Sequence, residues 1–189
     1  MHRKGGRTQV ISLTVARKYA RAFLEIGTQE GNYKKLGHDL ETIADLLKKN
    51  KELRTVLLSS IYPTVTRKAI AGTVLSPLGL EKSTVDFINL LIERERMDHF
   101  FQVVKSYENL CDEVANRVRA TLITAGKISP ELIEAVKAQL GSSTGKEVIL
   151  SVEEEPFLIG GIMAKIGNVI YDGSLRTQLL KVKENLYKE

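Results

Sequence analysis

Val118-Arg119-Ala120-Thr121-Leu122-Ile123-Thr124 is where the chain changes character. β-Branched residues crowd this stretch, and apolar side chains alternate with polar ones, the period-two signature of a half-buried strand. Before it, apolar residues recur at the three-and-four spacing of amphipathic helices; after it, strand and helix patterns alternate. The expected fold is therefore mainly α with an α/β C-terminal part. An N-terminal six-helix bundle over 11–115 is followed by a small mixed α/β domain over 116–189, and 1–10 form a flexible basic lead.

Working back from Val118, six short helical patterns are legible. Ile11, Val15, Tyr19, Ala22, Phe23 and Ile26 mark the first, with Ser12 or Thr14 available as its cap. Leu36, Leu40, Ile43 and Leu47 make the second stripe, ending before Asn50. A short third pattern, 52–58, stops near Tyr62-Pro63, because the residue before a proline is pushed out of the helical region. Thr64 and Thr66 offer caps for a fourth over 67–75, which Ser76-Pro77-Leu78-Gly79 breaks. Ser83 or Thr84 caps a fifth that carries Phe87, Leu90 and Leu91, and a sixth runs from about His99 to Val114.

Working forward, Ser129-Pro130 opens a helix carrying Leu132, Ile133, Val136 and Leu140. Gly141-Ser142-Ser143-Thr144-Gly145 reads as a loop, and 146–152 as a second strand. Two more strands, 162–166 and 169–171, are joined by Gly167-Asn168, which supplies the positive φ of a tight hairpin. Asp172 or Ser174 caps a last helix with a stripe of Leu175, Leu179, Val182 and Leu186.

The chain is 43% hydrophobic and 27% charged, which excludes a disordered tail, and its longest uncharged runs are 12 residues, too short to span a bilayer. Cys111 alone cannot form an internal disulfide and fits a reducing compartment. The formal charge of +5 is uneven: residues 1–35 hold eight Lys or Arg and two acids, the rest 20 and 21. A near-neutral body is a poor nucleic-acid surface, so no nucleic-acid partner is expected.

Catalytic chemistry finds no support. Gly141 to Glu147 has lysine after glycines but lacks the phosphate-loop spacing, and it leaves a helix rather than opening one. His2, His38 and His99 lack a second ligand at helical spacing, and His38 beside Asp39 and Glu41 reads as a solvated face. Glu153-Glu154-Glu155 reads as an exposed turn whose neighbours point apart. No catalytic, cofactor-binding or metal residue is assigned, and no small-molecule substrate is expected. What remains is surface: Val15, Tyr19, Ala22 and Ile26 form one helix edge, and Phe87, Leu90 and Leu91 another. An aromatic residue beside a small alanine suits close approach of a partner helix, and ordinary core packing explains the same spacing. Periodicity leaves both open.

Four segments carry a family resemblance: Val15-Ala16-Arg17-Lys18-Tyr19-Ala20-Arg21-Ala22-Phe23, Pro156-Phe157-Leu158-Ile159-Gly160-Gly161-Ile162, Ile166-Gly167-Asn168 and Asp172-Gly173-Ser174-Leu175-Arg176-Thr177-Gln178-Leu179. Together they resemble the delta subunit of F-type ATP synthases, the oligomycin-sensitivity-conferring protein family, over almost the whole chain. The basic lead, 1–10, falls outside that pattern.

The resemblance implies a noncatalytic peripheral-stalk, or stator, subunit. It would link the catalytic alpha/beta head to the membrane-anchored b stalk, so that rotation driven by proton transport is coupled to ATP synthesis. It implies no cofactor. It also implies that the N-terminal helix of an alpha subunit lies between helices one and five, which puts Val15, Tyr19, Ala22, Ile26, Phe87 and Leu90 at the contact. The C-terminal part would hold b-type stalk subunits. Gly160, Gly161, Gly167, Asp172, Gly173 and Ser174 would act mainly through backbone conformation. Membrane association would be peripheral, through the complex, on the cytoplasmic side of a bacterial inner membrane.

Overall fold

A computed structural model describes residues 5–167 and 169–186. The chain divides into two compact units, Met1–Cys111 and Asp112–Glu189. Among the described residues it is mostly helical, with one four-stranded mixed sheet in the second unit.

The first unit is built from α1 (Gly5–Gln29), α2 (Tyr33–Lys49), α3 (Lys51–Leu58), α4 (Thr64–Leu75), α5 (Lys82–Glu93) and α6 (Phe100–Val114), the last running across the division. One apolar core draws on all six. The α2 stripe is buried throughout, with Leu36, Leu40, Ile43 and Leu47 at 1% exposure or less. Asn50 ends α2 and starts α3, its side-chain oxygen accepting the Leu53 N–H at 3.1 Å.

Three helix starts differ from the sequence expectation; at α4, Pro63 holds the cap position, so Thr64 and Thr66 lie inside the helix. The first helix begins at Gly5, so Ser12 and Thr14 fall within it rather than at its start; residues 1–4 lie outside the described residues. At α5 neither Ser83 nor Thr84 provides the cap. Asp39 of α2 does, and it is buried rather than part of a solvated face. Its Oδ2 accepts the Glu81 N–H at 2.8 Å and the Thr84 hydroxyl at 2.9 Å, placing a carboxylate at the positive end of α5 from 42 residues away. His38, next to it, is exposed. Asp39→Ala leaves a buried donor, the Thr84 hydroxyl, and a half-buried one, the Glu81 N–H, without an acceptor and should cost about 2 kcal/mol of first-unit stability, read from urea unfolding followed by circular dichroism.

Tyr107 of α6 donates its hydroxyl to the Tyr33 carbonyl at 2.8 Å and is 1% exposed. Burial, then Cys111, pushes its pKa above the ordinary 10.0. The folded state thus keeps a proton that the unfolded chain releases above about pH 10, so this contribution is complete below that pH and is lost as pH rises further. Tyr107→Phe should cost about 1 kcal/mol at pH 7 and flatten the decline of stability at alkaline pH, measured by denaturant unfolding across pH 8–11.

The second unit contains β1 (Arg117–Thr124), α7 (Pro130–Thr144), β2 (Glu147–Glu154), β3 (Ile162–Ile166), β4 (Val169–Asp172) and α8 (Leu175–Leu186). Strand order is β2-β1-β3-β4. β1 pairs parallel with β2, from Arg117 opposite Glu147 to Thr124 opposite Glu154, with α7 as the crossover. β3 pairs antiparallel with both β1 and β4. The alternation that marked β1 sends Ala120, Leu122 and Thr124 inward. Asp112, 5% exposed, pairs with Arg119 and lies 3.7 Å from Arg117, and Asn116 turns the chain into β1 with φ +52°.

Three local expectations need correction. The stretch read as a loop is helical through Thr144, because Ser142 and Ser143 donate back to the Gln139 carbonyl and Thr144 to that of Leu140. Only Gly145 leaves the helix, at φ +66°. Glu153 and Glu154, read as part of a turn, belong to β2 and are exposed. The α8 stripe does not form a core at its start, since Leu175 and Leu179 are 46% and 60% exposed. The hairpin uses Gly167 at φ +56°; Asn168 lies outside the described residues.

A candidate partner groove

α1 and α5 lie antiparallel. Near the C-terminal end of α1, Glu30 accepts the Ser83 hydroxyl at 2.8 and 3.0 Å, and mid-helix Phe23 stacks on Phe87 with centroids 4.2 Å apart and planes 11° from parallel. At the other end, Val15 and Lys18 line one cleft together with Arg96. Tyr107 tilts against Phe23 from below at 5.4 Å, so the stacked pair is fixed from the core side.

Above this pair opens a cleft of about 480 Å³. Val15, Tyr19, Ala22 and Ile26 line it from α1, and Phe87 and Leu90 from α5. All six residues named from the sequence thus meet at one concavity. Their burial divides them by task. Phe23 and Phe87 are 0% and 6% exposed and form the floor. Val15 and Tyr19 are half-buried, while Ala22, Ile26 and Leu90 face outward. Ala22 presents only a methyl, which keeps the α1 wall low enough for another helix to approach closely. Leu91, grouped with this edge in the sequence, is 0% exposed and belongs to the core.

Three lining residues were not among those six: Phe23 of the floor and the charged Lys18 and Arg96. Lys18 was accessible to pattern reading, because it stands three residues after Val15 and four before Ala22 on the same face. Arg96 follows the end of α5, where no helical period applies, and only the tertiary arrangement brings it to the groove.

In the second unit the glycine-rich segments converge. The Leu175 N–H donates to the Gly160 carbonyl and the Gly173 N–H to that of Ile162, both at 3.0 Å. Asp172 accepts the Ser174 N–H at 2.9 Å and the Thr177 hydroxyl at 2.7 Å, and Ser174 Oγ accepts the Thr177 N–H at 3.3 Å as the α8 cap. Gly161 has φ +80°, and a Cβ there would lie 2.5 Å from the Gly173 carbonyl oxygen. A second apolar cleft, about 610 Å³, lies between α7 and the β3–β4 ribbon, with Val136, Leu140, Ile162 and Tyr171 among its walls. Among the described residues no three His, Cys, Asp or Glu side chains are grouped to hold a metal ion, and no helix is long and apolar enough to cross a membrane.

The family model of the ATP synthase delta (OSCP) subunit matches residues 15–186. The chain belongs to that family. It is 38% identical over 175 residues to ATP synthase subunit delta of Desulfatibacillum aliphaticivorans, covering 93% of this chain and 96% of that protein. The corresponding figures for Geobacter metallireducens are 36% over 179 residues, with 95% and 99% covered, and for Desulfosudis oleivorans 34% over 174 residues, with 92% and 95% covered. The fold matches a chain in the Toxoplasma gondii mitochondrial ATP synthase hexamer with a TM-score of 0.67 at 18% identity, covering 91% of this chain and 97% of that one. The α1–α5 groove and the glycine junction before α8 both fall inside the matched span.

Proposed function

We propose that this delta-family chain is the noncatalytic peripheral-stalk subunit of an F-type ATP synthase, holding the catalytic head to the membrane-anchored stalk during proton-driven rotation. The carrying observation is the convergence of Val15, Tyr19, Ala22, Ile26, Phe87 and Leu90 on one open apolar cleft in a chain of this family. A rotary motor delivers torque only if its catalytic ring is kept from turning with the shaft, so the tether must dissociate slowly. Burying apolar area contributes about 25 cal/mol per Å², and attachment at two places raises the effective hold through avidity.

In this reading the six helices act as one bundle-like cap on the head and receive the N-terminal helix of an alpha subunit between α1 and α5. The second unit receives b-type stalk helices, for which its apolar cleft and the exposed Leu175, Leu179 and Leu180 of α8 offer surface. Association with the membrane is then peripheral, at the cytoplasmic face of a bacterial inner membrane. No step of ATP chemistry falls to this chain.

Titrating the full-length chain with a synthetic alpha-subunit N-terminal helix tests the groove. Saturable binding that Tyr19→Ala weakens about tenfold is the expected result, since an aromatic anchor lost from a contact costs 1 kcal/mol or more. Unchanged affinity in that variant would remove the groove assignment. Membranes reconstituted without the chain should lose ATP synthesis; synthesis at an undiminished rate would overturn the tether itself.

A further inference from the structure

Among the described residues, the charged side chains that line the groove, Lys18 and Arg96, stand at one end of it. At the end where α1 residues 15–18 approach Arg96, Lys18 and Arg96 line the cleft, and neither forms an ion pair among the described residues. A second, polar concavity continues from it along α1, lined by Thr14, Arg17, Lys18 and Arg21. Among the described residues no carboxylate lines either one. At the opposite end of the same helix pair stands Glu30, held by the Ser83 hydroxyl and the Asn32 amide.

Resting on the groove reading above, the geometry points to a charge-selected occupant: an amphipathic helix whose apolar stripe fills the cleft and whose flanking acidic side chains lie at the Lys18–Arg96 end. Apolar burial alone is blind to which helix arrives and which way round it lies, because Val, Leu or Ile at i, i+3, i+4 and i+7 satisfy the cleft in many sequences. Cations at one end supply what burial lacks. They draw acidic partners in faster, repel basic helices, and fix axial placement, because like charges brought together at the rim are unfavourable. Both rim cations are exposed, so their effect is a selection term that salt screens, added to an apolar term that salt does not weaken.

The test uses the full-length chain and two synthetic helices with the same apolar stripe, one with Glu and one with Lys at the flanking positions nearest the rim. At low salt the Glu helix should bind about tenfold more tightly than the Lys helix, and the gap should close near 0.5 M salt. The double variant Lys18→Glu/Arg96→Glu should reverse the preference while the far-ultraviolet spectrum stays unchanged. Equal affinity for the two helices, with Ala22→Asp abolishing both, would overturn charge selection and leave the groove standing. If neither these helices nor an alpha-subunit N-terminal helix binds the unaltered chain, the groove reading and the selection built on it both fall.

Discussion

Ala22→Asp is expected to leave the free protein folded and to weaken its attachment to the catalytic head about a hundredfold. Ala22 is exposed on α1 and lines the cleft above the Phe23–Phe87 stack. A carboxylate there is solvated in the free chain, so the cost to folding is a helix-propensity difference of roughly 0.5 kcal/mol. On binding, that carboxylate is pressed into an apolar contact. Stripping water from an unpaired charge costs about 3–5 kcal/mol, against roughly 1.4 kcal/mol for each tenfold change in affinity. Lys18, one turn earlier on the same face, offsets part of this, but an exposed i, i+4 pair contributes only about 0.5 kcal/mol. About 3 kcal/mol of loss remains. Titration with the alpha-subunit N-terminal helix, together with circular dichroism of the variant, checks both halves. Normal binding would show that the partner lies elsewhere, and an unfolded variant would show that Ala22 is a packing residue.

The same side chain illustrates what periodicity conveys and what it leaves open. Val15, Tyr19, Ala22 and Ile26 announce a stripe, but a stripe states only that a face is apolar, not what covers it. Leu90 and Leu91 are consecutive on α5, yet Leu91 is 0% exposed in the core and Leu90 is 38% exposed at the groove. That division depends on where α1 crosses α5, which is a tertiary fact. The α2 stripe was legible because all of its members face one core. The hairpin between β3 and β4 was legible because glycine at positive φ is a local requirement.

The Asp39 cap was not legible, because its acceptor and donors are 42 and 45 residues apart, while Ser83 and Thr84 offered a plausible local substitute. The serine-rich end of α7 misled for a related reason. Residues that favour turns when their hydroxyls compete for the backbone also fit a helix when they bond carbonyls three or four residues back. Family resemblance supplied the expectation of a partner helix lying between helices one and five. Physical reading of the structure added the charged rim that the pattern omitted.

Gly161→Ala should unfold the second unit, with a loss of about 4 kcal/mol, the largest stability effect expected from a single added methyl in this chain. Two costs combine. Gly161 sits at φ +80°, where an L side chain pays roughly 1–2 kcal/mol in strain. Its Cβ would also stand 2.5 Å from the Gly173 carbonyl oxygen and 3.1 Å from Ser174 Cα, and neither is a flexible side chain that can swing aside. Relief requires the 160–161 and 173–174 segments to separate. That strains the Gly173-to-Ile162 and Leu175-to-Gly160 backbone hydrogen bonds and carries the Ser174 cap away from α8. Overpacking of this kind costs a further 1–3 kcal/mol. Gly167→Ala is the matched control: it has φ +56° but no atom within 4 Å of the added methyl, so it carries the strain without the collision and should lose only about 1–2 kcal/mol. Hydrogen exchange resolved along the full-length chain separates the outcomes. Protection should collapse across β1, β3 and α8 in Gly161→Ala while persisting in α2 and α5. Similar losses in the two variants would mean that positive φ alone governs this junction, and that the close approach of the two segments contributes nothing.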